Sequence, residues 1–272
     1  MKRILLLAAL FAAVACGQKK AEPRKALVLY YSQTQTTQKV AEEIQSRLGA
    51  DIEAIVPVKP YDGTYQETIQ RGQEERSAGI LPEIQPLKAD LSQYDVIFLG
   101  YPIWFGTYAP PVAALLNQVD LNGKKVVPFC TFGSGGLTSS VKAIREKFPE
   151  AEVLDGYGVR SARIASVPAE VERFLLAGGF IPGDYTPLPA FSASHPVSAE
   201  EAALFDAAVG DYPMINANAI EVASRAIDGG TEYLFTAADK PREGMTQENM
   251  VRFQVYVTAL DGAAPEFTQV VR

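Results

Sequence analysis

Cysteine and histidine are scarce in this sequence, and their scarcity narrows what the protein can be. Its 272 residues include two cysteines, Cys16 and Cys130, and one histidine, His195. Two cysteines cannot form the disulfide framework of a small secreted domain, and with a single histidine they make no metal-ligand cluster. We therefore expect no metal site. His195 lies in a proline-rich stretch and is not expected to be catalytic, and Cys130 is expected to be a small core residue.

Positive charge is also in short supply. The chain has 25 lysines and arginines against 32 aspartates and glutamates, a net charge of −7. Removal of residues 1–15 would also remove Lys2 and Arg3, leaving 23 basic residues and a net charge of −9. A protein with this much negative charge repels the phosphates of nucleic acids and of anionic lipids. Nucleic acid is therefore not an expected partner, and any membrane contact requires an attached group.

The N-terminus offers such an attachment. Residues 4–15 form an apolar stretch of twelve residues after a basic start, too short to span a bilayer as a helix and typical of a signal peptide. Ala13-Val14-Ala15-Cys16-Gly17 resembles the lipobox of bacterial lipoproteins. The resemblance implies a signal peptide at 1–15, a lipid on Cys16 and a tether at 16–24. The protein would then be exported and anchored to a bacterial membrane, in the outer membrane or cell envelope. An ordinary cleaved signal with an incidental cysteine is the alternative.

Apolar and helix-period segments alternate from residue 25 to residue 180. Apolar residues make up 47% of the chain, enough for a substantial core. Near-continuous apolar strands alternating with helices predict an α/β domain with a doubly wound, five-stranded parallel sheet. The predicted strands are 26–32, 51–58, 94–102, 123–131 and 152–160, and the predicted helices are 36–48, 64–78, 108–119, 137–148 and 168–179.

The chain changes character after residue 180. Prolines and glycines interrupt the periodicity over residues 181–198, which predicts a linker. Residues 199–272 predict a small α+β domain. Its predicted helices are 199–208 and 216–227, and its predicted strands are 232–238, 251–260 and 266–271.

Part of this second domain resembles cystatin-like folds. Gly230-Thr231-x-Tyr233 matches the end of the family's hairpin motif. Ala226 and Asp228 stand where that motif has glutamine and valine, so we do not expect protease inhibition. A small module that docks a partner or shapes access to the first domain is the alternative interpretation.

Four hydroxyl residues follow the first predicted strand and open the first predicted helix. They are Ser32, Thr34, Thr36 and Thr37. Amide N–H groups at a helix N-terminus lack internal partners and carry partial positive charge, so they suit a phosphate group. A helix cap rich in serine and threonine has the same composition, so the loop alone does not distinguish a binding site from a cap.

This loop resembles the FMN phosphate loop of flavodoxins, Ser/Thr-x-Thr-Gly-x-Thr, with Gln35 where glycine is usual. Gly100–Thr107 resembles the family's Pro-Ile-Trp-Trp-Gly segment around the isoalloxazine ring, and Phe129–Gly136 resembles the third loop, which closes over the ring. The resemblance implies a flavodoxin-like domain at 25–180, strand order 2-1-3-4-5 and noncovalently bound FMN. The implied cofactor-binding residues are Ser32, Gln33, Thr34, Gln35, Thr36, Thr37, Pro102, Ile103, Trp104, Phe105, Gly106, Thr131, Phe132, Gly133, Ser134 and Gly135.

Two classes of function follow. The first is an FMN-dependent electron carrier or oxidoreductase, a class that includes quinone and nitro-compound reductases, with no catalytic side chain assigned. The second is a flavin-free docking protein that works through its C-terminal module. Gln35 and the scarcity of free FMN outside the cytoplasm motivate this alternative. The sequence has no recognisable nicotinamide-nucleotide fingerprint, so the electron donor and acceptor are not indicated.

Overall fold

The computed structural model describes residues 25–210, 212–240 and 251–272. The predicted signal peptide, Cys16 and the tether lie outside these residues. Within the described ranges the chain forms one mainly parallel and one antiparallel sheet. None of the helices in these ranges has both the length and the apolar character needed to cross a bilayer.

The first sheet is parallel at its centre and buried on both faces. Strand β1 (Ala26–Tyr30) lies between β2 (Asp51–Ala54) and β3 (Val96–Trp104), and β3 pairs in turn with β5 (Lys125–Phe132). The first six residues of β3 and the last seven of β5 are buried. These are the continuous apolar runs that predicted a parallel sheet. The short β4 (Thr107–Tyr108) returns antiparallel along the end of β3.

The fifth predicted strand is broken into two pieces. Strands β6 (Glu152–Val153) and β7 (Tyr157–Arg160) each pair with β5. The break faces Pro128, which has no N–H to donate to a neighbouring strand. Gly156 has a φ of 79° there, and a Cβ on it would lie 2.4 Å from the Pro128 carbonyl oxygen. The resulting order β2-β1-β3-β5-β6 confirms the predicted order 2-1-3-4-5.

Helices cover both faces of this sheet. On one face Ile44 and Val171 pack in the same cluster as Phe98, and on the other Leu115 packs in the same cluster as Leu99. Each such fully buried side chain contributes about 1.5–3 kcal/mol relative to an exposed one. The helices are α1 (Thr36–Leu48), α2 (Tyr65–Ala78), α3 (Pro110–Leu116), α4 (Leu137–Lys147) and α5 (Val167–Ala177).

The second sheet is antiparallel and carries one helix. Its strands follow the order β12-β11-β10-β9-β8, and Phe205 of the helix packs edge-on against Phe235 of the sheet at a ring-centroid distance of 5.2 Å. Strand β8 of this sheet lies within the linker predicted at residues 181–198. The elements are β8 (His195–Pro196), α6 (Ala199–Val209), β9 (Ala217–Ile227), β10 (Gly230–Asp239), β11 (Arg252–Leu260) and β12 (Glu266–Val271).

The helix predicted at 216–227 is wrong, because those residues form β9. Their alanines favour a helix by intrinsic propensity. Pairing with β10 and burial of Val222 in the core outweigh that preference. The turn between the two strands falls at Asp228-Gly229, where Gly229 has a φ of 70°.

Candidate functional site

Three loops meet at the carboxyl ends of β1, β3 and β5, the edge at which open α/β sheets bind ligands. We call residues 31–37 the first loop, 102–107 the second loop and 131–136 the third loop. The Ser139 hydroxyl donates a hydrogen bond to the Gly106 carbonyl oxygen at 2.6 Å, which ties α4 to the second loop. A Cβ on Gly136 would lie 2.6 Å from Ile103, so the third and second loops are in close contact.

The first loop ends at an uncapped helix N-terminus. Gln35 precedes α1 with φ 61° and ψ 0°, and its side chain makes no capping hydrogen bond. Glutamine thus adopts the left-handed conformation that glycine would provide, at a cost of roughly 1–2 kcal/mol. The amide N–H groups in the first turn of α1 therefore have no side-chain cap, and they carry the partial positive charge of the helix dipole.

Ser32 carries a buried hydroxyl that lacks a partner. Its Oγ makes no hydrogen bond with any residue that the structure describes. A buried hydroxyl left in this state costs about 1–3 kcal/mol, so it needs an explanation. On the exposed side of the same loop, the Thr34 and Thr36 hydroxyl oxygens lie 3.1 Å apart. The loop therefore combines neutral hydroxyl donors with free amide donors, the chemistry that a phosphate group accepts.

Two predicted contact residues point into the protein. Thr37 and Thr131 are buried, at 1% and 3% exposure, and their hydroxyl oxygens lie 2.8 Å apart. At least one of the two hydroxyl protons is therefore used within the protein. The bond joins the first loop to the end of β5, so these threonines position the loops relative to one another.

The second loop is a tight hairpin. Strand β3 continues to Trp104, beyond its predicted end at residue 102, and turns through Phe105 and Gly106 into β4. Phe105 has a φ of 51° and Gly106 a φ of 81°. Two-residue hairpin turns of type I′ require positive φ at both central residues. Gly72 of α2 lies beneath the Phe105 ring, where a Cβ would come within 3.1 Å. A phenylalanine with positive φ is uncommon, so this turn is held by its surroundings.

Trp104 belongs to an aromatic cluster formed by Tyr31, Tyr61 and Trp104. Its ring lies edge-on to both tyrosines, with centroid distances of 6.2 Å to Tyr31 and 5.1 Å to Tyr61. Gln33 bridges the cluster, since it accepts a hydrogen bond from the Tyr31 hydroxyl and donates one to the Tyr61 carbonyl oxygen. Sequence reasoning assigned Trp104 and Gln33 to the site but did not include the two tyrosines among the cofactor-binding residues. Tyr31 stands directly before Ser32 at the end of the first predicted strand, and this position was the available signal for it.

Arg71 brings positive charge to the aromatic cluster. Its guanidinium lies 3.8 Å from the Tyr61 ring centroid, and its Nε lies 2.8 Å from a Glu75 carboxylate oxygen. Burial raises the pKa of Tyr61 above its ordinary value of 10.0, and a hydrogen bond from its hydroxyl to Glu75 raises it further. Burial likewise raises the pKa of Tyr31. Both phenols therefore stay neutral near pH 7.

The third loop contacts the antiparallel sheet. Its Ser134 carbonyl oxygen accepts a hydrogen bond from the Val270 amide of β12 at 2.6 Å, and Gly135 forms a parallel bridge with the same valine. Its Gly133 carbonyl oxygen accepts a hydrogen bond from Arg160 Nε at 2.9 Å. The two sheets thus meet at one of the three loops of the site.

Cys130 and His195 take no part in the site. Cys130 is fully buried in β5, and burial raises the pKa of its thiol, so the neutral form is stable. This agrees with the expectation of a core cysteine. His195 lies in β8 of the second sheet, where its Nε2 is 3.0 Å from a Glu201 carboxylate oxygen.

A cavity of about 590 Å³ opens at the opposite end of the parallel sheet. It is lined by residues at the amino ends of the strands, among them Ala26, Val96 and Lys125. None of its lining residues belongs to the three loops. Because ligands of this architecture bind at the carboxyl ends of the strands, we place the functional site at the loops.

Comparisons with known proteins concern the part of the chain that forms the first sheet. The family described as Flavodoxin matches residues 25–166, a range that contains all three loops. The chain is similar to a candidate flavoprotein from Bacteroides eggerthii, with 28% identity over 55% of this chain and 96% of that one and a TM-score of 0.47. It is also similar to a flavoprotein from Lactobacillus acidophilus solved in complex with FMN, with 27% identity over 54% of this chain and 99% of that one and a TM-score of 0.45. No curated protein matches the chain.

Proposed function

This chain belongs to the flavodoxin family, and from that premise we propose that it binds FMN noncovalently at the three loops and acts as an electron carrier or oxidoreductase. The observation that carries the proposal is the unpartnered hydroxyl of Ser32 beside the uncapped N-terminus of α1. When bound, FMN supplies the transfer of one or two electrons. The protein supplies binding, orientation and electrostatics.

The first loop would hold the phosphate of FMN. Ser32 offers an unpartnered hydroxyl, the hydrogen-bonded pair of Thr34 and Thr36 offers one further hydroxyl proton, and the first turn of α1 offers amide donors. Residues 32–37 include no lysine or arginine, so the phosphate would be held by neutral groups. Ser32 would exchange an unsatisfied hydroxyl for a charge-assisted hydrogen bond, which is stronger than one between neutral groups.

The second and third loops would hold the isoalloxazine ring. The aromatic cluster supplies apolar surface that excludes water, and Trp104 is the only tryptophan in the sequence. The net charge of −9 expected for residues 16–272 disfavours added negative charge on the ring. We therefore expect the protein to lower the reduction potential of bound FMN.

The test of this proposal is titration of the purified protein with FMN, followed by visible absorption and by quenching of flavin fluorescence. Replacement of Ser32 by alanine should raise the dissociation constant about tenfold, because one charge-assisted hydrogen bond is lost. The same replacement should stabilise the FMN-free protein by about 1–3 kcal/mol, because it removes an unpaired buried hydroxyl. Ser77→Ala, at an exposed position on α2, is the matched control.

Unchanged FMN affinity in Ser32→Ala would contradict the proposed phosphate site. Failure of the wild-type protein to take up FMN at high concentration would instead favour the flavin-free docking protein. In that case binding experiments would turn to the C-terminal domain and its protein partners.

We also propose that the protein is exported and lipid-anchored through Cys16. The basic start, the apolar stretch and the lipobox-like sequence support this proposal. In a bacterial host, the wild-type protein should be found in the membrane fraction with an intact mass that includes acyl chains. Cys16→Ser should lose both the acyl chains and the membrane association, whereas Cys130→Ala should keep them. Membrane association that persists without acylation would contradict the anchor.

We further infer that the C-terminal domain is cystatin-like. The sequence α6, then the antiparallel strands β9 to β12, supports this inference, and the turn at Asp228-Gly229 lies beside the segment that resembles the family's hairpin motif. Because Ala226 and Asp228 depart from that motif, we expect no inhibition of a papain-like protease in an activity assay. An experimental structure with α6 packed away from the β9–β12 sheet would contradict the inference.

A further inference from the structure

The third loop is bound along its outer side by the main chain of β12. The Val270 amide donates to the Ser134 carbonyl oxygen at 2.6 Å, and Val270 also pairs with Gly135. A Cβ on Gly135 would lie 2.1 Å from the Val270 carbonyl oxygen, closer than any real contact allows. The two main chains therefore touch directly, and glycine at position 135 makes this approach possible.

Arg160, at the end of β7, contacts both the third loop and β12. Its Nε donates to the Gly133 carbonyl oxygen at 2.9 Å, and its Nη1 donates to the Phe267 carbonyl oxygen of β12 at 3.0 Å. Its guanidinium also lies 3.5 Å from the Phe267 ring centroid and 5.4 Å from that of Tyr212. Hydrogen bonds from a charged donor are stronger than neutral ones. One side chain thus joins β7, the third loop and β12.

An ion pair adds to the contact between the domains. Arg163 Nε lies 3.4 Å from a Glu266 carboxylate oxygen at the start of β12, and another nitrogen of Arg163 lies 2.8 Å from Glu170 of α5. The Arg163 side chain is only 11% exposed but that of Glu266 is 58% exposed, so solvent screens the pair and its contribution is small. Strand β12 therefore contacts the first domain near its start, through Glu266 and Phe267, and near its end, through Val270.

We propose that the C-terminal domain is a clamp that fixes the third loop in its flavin-binding conformation, with Arg160 as a positioning residue. This inference rests on the proposed binding of FMN. Two consecutive carbonyl groups of the loop, those of Gly133 and Ser134, accept hydrogen bonds from Arg160 and from Val270 of β12. A glycine-rich loop otherwise loses much conformational entropy on binding, and a loop ordered in advance avoids that cost.

The test compares Arg160→Met with Arg145→Met. Methionine keeps an unbranched apolar side chain but has no hydrogen-bond donor. Arg145 is the matched control because its guanidinium also donates to a carbonyl oxygen, that of Val153, away from the third loop. Hydrogen–deuterium exchange of residues 131–136 in the FMN-free protein, and the rate of FMN release from the loaded protein, should each rise about tenfold in Arg160→Met. Both rates should stay at wild-type values in Arg145→Met.

A second set of variants tests the clamp if Arg160→Met fails to fold. A Cβ on Gly133 would lie 2.7 Å from the Tyr212 hydroxyl oxygen, so Gly133→Ala should loosen the loop. Adding Tyr212→Phe removes that hydroxyl and should restore slow exchange. Wild-type exchange in both Arg160→Met and Gly133→Ala would overturn the clamp. If the wild-type protein binds no FMN, the proposed cofactor fails, while exchange in the FMN-free protein still decides whether the clamp exists.

Discussion

The two sheets of this protein bury their apolar side chains in different patterns. The central strands β1, β3 and β5 of the parallel sheet are apolar on both faces, so six consecutive residues of β3 are buried beneath helices on either side. In β11 of the antiparallel sheet, buried and more exposed residues alternate, because one face packs against α6. The comparison teaches that the central strands of the parallel sheet depend on packing at nearly every position, whereas the antiparallel sheet depends on alternate positions.

The largest expected effects come from emptying the two cores. Phe98→Ala in the parallel sheet and Phe235→Ala in the antiparallel sheet each remove a fully buried ring, and each should destabilise its own domain by about 3–5 kcal/mol. Trp104, the only tryptophan, reports on the first domain, whereas far-ultraviolet circular dichroism reports on both. In urea unfolding, the tryptophan transition should shift more in Phe98→Ala than in Phe235→Ala.

Leu260→Ala is the control for this pair, because Leu260 is exposed and should shift neither transition appreciably. Equal shifts of the tryptophan transition in both phenylalanine variants would show that the two domains unfold as one unit. The two sheets would then not be independent units of stability.

Glycine replacements should give smaller effects that still differ between the sheets. In the parallel sheet, a Cβ on Gly100 would lie 2.2 Å from the Phe129 ring, so Gly100→Ala should cost about 1–3 kcal/mol through overpacking. In the β9–β10 turn, Gly229 has open space around it, and Gly229→Ala should cost only about 1 kcal/mol through its positive φ. Chemical denaturation of both variants measures the difference. A larger loss from Gly229→Ala would reverse the comparison.

The smallest expected effect is a pH dependence shared by both domains. Glu67 of α2 and Glu201 of α6 each complete a capping box, and main-chain hydrogen bonds from Thr64 and Ser198 lower their pKa values below the ordinary 4.5. The lowered pKa stabilises the folded state above pH 4.5, and this contribution is lost as the pH falls through the folded-state pKa.

Glu201→Gln keeps a capping oxygen but removes the charge, so its melting temperature should fall slightly below the wild-type value at pH 7. The difference should shrink as the pH falls below 4.5. Glu67→Gln should behave in the same way in the first domain. A difference that does not change with pH would show that the charge of these residues contributes nothing.

The first domain could be predicted well because its strongest signals are local. The helix at Thr36–Leu48 and the apolar strands follow from periodicity within short windows. The break beside Pro128 was missed, although its cause is a residue visible in the sequence. Residues 216–227 were predicted as a helix because their composition favours one, and only pairing with β10 makes them a strand.

The candidate site could be predicted only as far as the order of strands determines it. Loops after β1, β3 and β5 must lie together once the sheet is doubly wound, so the three segments could be named in advance. The hydrogen bond between Thr37 and Thr131 depends on side-chain packing, and so does the hairpin turn at Phe105. The contact between Ser134 and Val270 joins residues far apart in sequence, and no local pattern indicates it.

The contact between Ser134 and Val270 also has a consequence for the order of events during synthesis. Domains generally fold from the N-terminus as the ribosome extends the chain at about 5–20 residues per second. When residues 25–166 have emerged, the parallel sheet can form, but β12 has not yet been made. Closure of so long a segment is also slow compared with local folding. We therefore expect the nascent domain to pass through a stage with a formed sheet and an unsupported third loop, which is completed only when β12 has been translated.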